Sequence, residues 1–84
     1  MYRIKLDNNA RKELDKIDFE ITKRIIDRIK SLENEPRPFG SIKLKGENAY
    51  RIRMGNYRIL FEIDDKLKEI TVIILLIEKM FTDN

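Results

Sequence analysis

The chain has 84 residues, the size of one domain with a modest core. It contains neither cysteine nor histidine, which excludes disulfides, thiol chemistry, zinc centres and histidine-based triads, and fits a reducing cytoplasm. Charged residues make up 39% of the chain and the formal net charge is +3, a weak pointer to an anionic partner until the charge is located. The opening MYRIKLDNNARKEL has scattered charges and no apolar stretch of the signal-peptide kind. No apolar run approaches the ~20 residues of a membrane helix, so a membrane partner is not expected.

In chain order, residues 2–6 alternate, with Tyr2, Ile4 and Leu6 on one face and Arg3 and Lys5 on the other, the pattern of a half-buried strand. Asp7, Asn8 or Asn9 then caps a short helix over 9–16, with Ala10 and Leu14 at i, i+4. Asp18 caps a longer helix over roughly 19–34, whose core stripe is Ile21, Ile25, Ile26, Ile29 and Leu32. Glu20–Arg24, Glu20–Lys23 and Asp27–Lys30 have the spacing of helical ion pairs on its wet face. Pro36 and Pro38 end the helix, and EPRPFG is a loop.

Beyond that loop the period changes to two. Ile42 and Leu44 alternate with Lys43 and Lys45; Tyr50, Ile52 and Met54 alternate with Arg51 and Arg53; Tyr57, Ile59, Phe61 and Ile63 alternate with Arg58, Leu60 and Glu62. Gly55-Asn56 is a two-residue hairpin turn, Asp64-Asp65-Lys66 is another turn, and 69–77 is a last, nearly continuous apolar strand expected to be covered on much of both faces. The class is α+β: an N-terminal strand, a helical hairpin, then a three- to four-stranded antiparallel meander, all in one domain over 1–84. The triplet Tyr-Arg-Ile at 2–4, 50–52 and 57–59 reflects strand alternation and not a repeat architecture.

The hairpin turn fixes a register: Met54 pairs with Tyr57, Arg53 with Arg58, Ile52 with Ile59 and Arg51 with Leu60. Arg53 and Arg58 then stand opposite each other with Arg51 two residues along. Like charges opposite one another in a sheet are destabilising, so the pair points to a shared anion, a phosphate or a carboxylate. Between residues 43 and 61 there are five basic residues and one acid, Glu47, so the positive charge is concentrated on this element; Lys43 and Lys45 join it if their strand lies beside the hairpin. The plain alternative is a solvated strand face with splayed cations. Tyr2, Tyr50 and Tyr57 read as packed aromatics, and Asp64 and Asp65 as turn residues without a metal role.

The string YRIRMGNYRILFEI at 50–63, with the preceding IKLKG at 42–46, resembles the signature of the RelE/ParE toxin superfamily of toxin–antitoxin systems. The order of the two N-terminal helices matches it too. The resemblance implies a RelE-like fold and the toxin component of a type II system. It also implies a metal- and cofactor-free endoribonuclease, an mRNA interferase that cuts mRNA on the ribosome and inhibits translation. In such an enzyme Arg51, Arg53 and Arg58 would be catalytic, handling the phosphate, while Lys43, Lys45, Lys79 and Phe81 would bind RNA or the ribosome. The resemblance weakens at the C-terminus, ILLIEKMFTDN, where Lys79 is the one cation and Phe81 stands near the place of the family's tyrosine. The implied partners are a cognate antitoxin, the ribosome and mRNA. The alternatives are a ParE-like inhibitor of DNA gyrase without nuclease activity, or a degenerate toxin that only binds its antitoxin.

Overall fold

A computed structural model describes residues 1–44 and 48–77, with side chains as far as residue 73. The elements run β1 (Arg3–Leu6), α1 (Asn8–Asp15), α2 (Phe19–Lys30), a 3-10 turn (Ser31–Glu33), β2 (Ile42–Lys43), β3 (Ala49–Met54), β4 (Tyr57–Asp64) and β5 (Glu69–Ile77). The α+β expectation holds. The sheet has five strands in the order β1-β5-β4-β3-β2, because β1 adds to the antiparallel meander as a parallel neighbour of β5.

The helical hairpin forms because each helix has one apolar stripe to bury. Ala10 and Leu14 of α1, Ile25 and Ile29 of α2, and Leu32 just beyond are all buried. Ile21 is half-buried and Ile26 is exposed, so the expected stripe is narrower than its five isoleucine and leucine positions. Asp7 and Asp18 occupy the N-cap positions without a side-chain cap; their carbonyls accept from Arg11 N at 3.0 Å and Thr22 N at 2.9 Å. At the corner between the helices, the Thr22 hydroxyl lies within hydrogen-bond distance of the Leu14 and Ile17 carbonyls, 3.3 and 3.2 Å, satisfying groups that the end of α1 leaves open.

The α-helix stops at Lys30, short of the expected residue 34. The Ser31 hydroxyl donates to the Arg28 carbonyl at 2.6 Å, and the chain tightens into the 3-10 turn. Among the described residues, the three ion pairs expected on α2 do not form; the ion pairs present are Arg3–Glu69, Lys5–Glu69, Lys16–Glu13 and Arg37–Asp65.

The helices cover the sheet face formed by the alternate residues Tyr50 and Ile52 of β3, Ile59, Phe61 and Ile63 of β4, and Ile70 and Val72 of β5. Tyr2, Ile4, Leu6, Met54 and Tyr57 pack at its margin. Phe61 is fully buried and stacks on Tyr50, ring centroids 6.0 Å apart. On β5, as far as residue 73, the two-sided covering expected from its composition is partial: Ile70 and Val72 are buried, whereas Thr71 and Ile73 are half-exposed, Ile73 being the extra residue at a register shift opposite Leu60 and Phe61.

Candidate nucleic-acid interface on the hairpin

In a strand, residues alternate between faces and directly paired residues share one. The register therefore assigns the second face of the sheet. Arg53 pairs with Arg58, and Arg51 pairs with Leu60, as the turn required. Farther from the turn on this face come Glu62, paired with Ala49 and Thr71, and then Asp64, paired with Glu69. The Tyr-Arg-Ile triplets make this division visible: at each, the tyrosine lies on the helix-covered side and the arginine opposite.

Gly55 has φ +61°, the left-handed value asked of the first central residue of a II′ hairpin turn. This turn aligns the three arginines. Arg53 is exposed, while Arg51 and Arg58 are half-buried. The Arg51 stem lies in a row with Ile42 on β2 and Leu60 on β4. Its Nε is shielded from solvent and makes no hydrogen bond among the described residues; the Arg58 Nε is shielded too. A covered donor without an acceptor typically costs ~1–3 kcal/mol, and an anion oxygen would remove that cost at Arg51. Guanidinium groups bind phosphate through planar paired N–H donors and stay protonated at working pH. This cluster is thus suited to holding and neutralising a phosphate, and unsuited to removing a proton.

The charge on this face is divided along the strands. The arginines occupy the hairpin end. At the other end a hollow of about 560 Å³ is bordered by Glu62, Asp64, Asp65 and Glu69, with Lys66 beside them. Arg3 and Lys5 of β1 reach Glu69 at 2.9 and 3.6 Å. Asp65 and Glu69 are neutralised by ion pairs and Lys66 borders the same hollow, so the excess positive charge of this face lies at the hairpin end, and a polyanion is drawn there. Among the described residues, no group of three or more carboxylates could hold a metal ion.

The lysines expected beside the arginines are placed differently. β2 does lie next to β3, but Lys43 pairs with Tyr50 and Ile42 pairs with Arg51. Lys43 is therefore on the helix side of the sheet, and the neighbour of Arg51 is the half-exposed Ile42 (46%). Lys45, Lys79 and Phe81 lie outside the described residues.

A residue not singled out in the sequence organises the far end of the helix-covered face. Arg37, from the loop between the 3-10 turn and β2, donates through Nη2 to Asp65 Oδ2 at 2.8 Å and through Nη1 to Oδ1 at 3.4 Å. Its Nε donates to the Tyr50 hydroxyl at 3.0 Å, with the guanidinium 5.2 Å from the Tyr50 ring centroid. The Tyr2 hydroxyl donates to Asp65 Oδ1 at 2.7 Å. Asp65 is thus more than a turn residue. Asp64 takes the turn role, its Oδ1 accepting from Lys66 N and Leu67 N, both at 3.0 Å. The hydrogen bonds from Arg37, then that from Tyr2, hold the Asp65 carboxyl below the usual carboxylate range. The bond to Asp65 raises Tyr2, and the bonds to Asp65 and Tyr50 raise Arg37.

A small α+β domain with a parallel N-terminal strand, a helical hairpin and an antiparallel meander is the fold of RelE-type toxins. The match extends to the family described as the ParE toxin of the type II toxin–antitoxin system parDE, over residues 4–80, and the chain belongs to that family. Similar solved structures include the RelBE2 toxin–antitoxin complex of Mycobacterium tuberculosis, with 24% identity and a TM-score of 0.80 over 90% of this chain and 96% of that one. The archaeal RelE–RelB complex of Pyrococcus horikoshii has 26% identity and a TM-score of 0.80 over 92% and 94%. The RelB–RelE complex of Methanococcus jannaschii has 29% identity and a TM-score of 0.70 over 92% and 93%. No curated protein matches the chain.

Proposed function

We propose that this type II toxin acts on mRNA at the ribosome, as a single metal-independent endoribonuclease domain in the cytoplasm, and that a cognate antitoxin holds it in check. The observation that carries this reading is the pairing of Arg53 with Arg58 across the hairpin, with Arg51 beside them on the same face. In such a cut the ribose 2′-hydroxyl attacks the adjacent phosphorus to form a 2′,3′-cyclic phosphate, its proton passing to solvent, and the bond to the 5′-oxygen breaks, that oxygen taking a proton from solvent. Negative charge grows on the non-bridging oxygens. Arg58 and Arg51 would grip those oxygens and hold the attacking and leaving atoms in line, and Arg53 would bind the neighbouring phosphate. Catalysis of this kind is chiefly positioning and electrostatic stabilisation, and three guanidinium groups on one sheet face supply the charge. The antitoxin reading is supported by the similar structures, which are complexes of RelE-type toxins with RelB antitoxins.

The test is cleavage of mRNA on programmed ribosomes, mapped by primer extension, with the chain and its Arg58→Ala variant. Cuts in the A-site codon that vanish in the variant are the expected result. Folded chain that leaves the message intact overturns the reading. The match to the ParE toxin family favours a second one, inhibition of DNA gyrase without nuclease activity. Loss of gyrase supercoiling with intact mRNA would establish it.

A further inference from the structure

The hairpin arginines have a counterpart on the other side of the same turn. Arg24 and Arg28 stand four residues apart on α2, hence on one helix face. With Asp27, Ser31 and Met54 they line a groove of about 440 Å³ between α2 and the hairpin. Neither arginine has an ion-pair partner among the described residues, although Asp27 borders the same groove. The Ser31 hydroxyl bonded to the Arg28 carbonyl fixes the end of α2 beside the groove. Met54 is the next residue after Arg53, and strand alternation turns the two to opposite faces. The groove and the arginine face are therefore separated by the edge of one hairpin at its Gly55-Asn56 tip.

We infer that the groove lined by Arg24, Arg28 and Ser31 is a second phosphate site for a single-stranded RNA backbone that passes round the hairpin tip from the Arg51–Arg53–Arg58 face. This rests on the nucleic-acid reading above and extends it to a surface with no part in the chemistry. Two guanidinium groups on one helix face are a donor set for phosphate oxygens, and the groove is open enough to admit a backbone without a base-specific pocket. Farther along the arginine face come Glu62 and Asp64, which have no ion pair among the described residues, so an anionic strand continues more favourably toward the hairpin end. α2 carries four cations, Lys23, Arg24, Arg28 and Lys30, against Glu20 and Asp27.

The experiment measures binding of a fluorescein-labelled oligouridylate to the full chain by anisotropy over a series of salt concentrations. Arg24→Gln/Arg28→Gln is compared with Arg11→Gln/Lys12→Gln, which removes the same charge from α1, and with Arg58→Ala. Two lost phosphate contacts lower the slope of log K against log salt by ~1.4, because each contact on a single strand contributes ~0.7. Arg24→Gln alone should lose about half of that. The expected result is this fall in the α2 variants and an unchanged slope in the α1 control. If the α2 variants follow the α1 control while Arg58→Ala weakens binding, the groove proposal fails alone and an acidic protein segment becomes its better occupant. If only Arg58→Ala leaves binding unchanged, the hairpin reading fails and the groove remains an RNA site. A parent chain without salt-dependent binding overturns both.

Discussion

Arg37 and Asp65, 28 positions apart in sequence, meet in a two-pronged ion pair that ties the loop before β2 to the turn between β4 and β5. Tyr2 brings the N-terminal strand to the same carboxylate and Tyr50 brings β3 to the same guanidinium. Four separate segments therefore converge on one polar cluster. The pair is solvent-accessible, with side-chain exposures of 41% and 57%, so screening keeps its contribution small and its role is chiefly to fix the loop.

The cluster predicts a two-sided pH dependence. The folded Asp65 pKa lies below its unfolded value of about 3.9, so its contribution is present above that value and is lost as pH falls through the folded pKa. The folded Tyr2 pKa lies above the ordinary ~10, so its contribution is present below pH ~10 and is lost as pH rises through the folded value. Urea midpoints measured across pH should fall at both extremes in the parent, and Asp65→Asn should make both limbs slightly shallower. A variant with the parent's full pH profile would show that the cluster is not coupled to folding.

The hairpin register was legible because two local signals coincide. Gly55-Asn56 sets the turn, and alternating side chains admit one pairing that puts Tyr50, Ile52, Ile59 and Phe61 together on a buried face. Arg53 opposite Arg58 follows from those residues alone. The face of Lys43 was not legible, since it depends on how the chain between β2 and β3 sets their register. The parallel docking of β1 on β5 joins residues 66 apart, Arg3 and Glu69, for which no local pattern exists. Arg37 carried no signal beyond its place in the EPRPFG loop. Its one sequence hint was the flanking Pro36 and Pro38, which restrict the loop and make a defined side-chain position cheaper to hold.

At the turn, Gly55→Ala should destabilise the fold by about 1–2 kcal/mol through its left-handed φ alone. A Cβ there would meet nothing within 4 Å, so no steric clash adds to the cost. Gly55→Asn should cost less than Gly55→Ala, because asparagine is found more often than alanine at positive φ in primed hairpin turns. Chemical denaturation of the two variants checks the order; equal losses would mean that backbone conformation is not the cause.

Phe61 sits where the β4–β5 register shifts and is wholly enclosed, stacked on Tyr50. Phe61→Ala should cost about 3–5 kcal/mol, from lost burial and an unfilled cavity. A domain of this kind has about 5–15 kcal/mol in all, so the variant should be near its unfolding midpoint at physiological temperature. A thermal melt close to that of the parent would show that the core can collapse around the gap.

Arg53→Glu separates stability from function. The parent sets two guanidinium groups directly opposite each other, a pairing unfavourable to the hairpin. A glutamate facing Arg58 turns repulsion into attraction, and the urea midpoint should rise by the equivalent of about 0.2–1 kcal/mol. The same change puts a negative charge where the phosphate would bind and ties Arg58 to a carboxylate, so ribosome-dependent cleavage should be abolished. A chain that is stabler yet inactive would show that the paired arginines are kept for an anion at the expense of the fold. A variant that is both stabler and fully active would show that this face does not meet the phosphate, and would shift attention to gyrase.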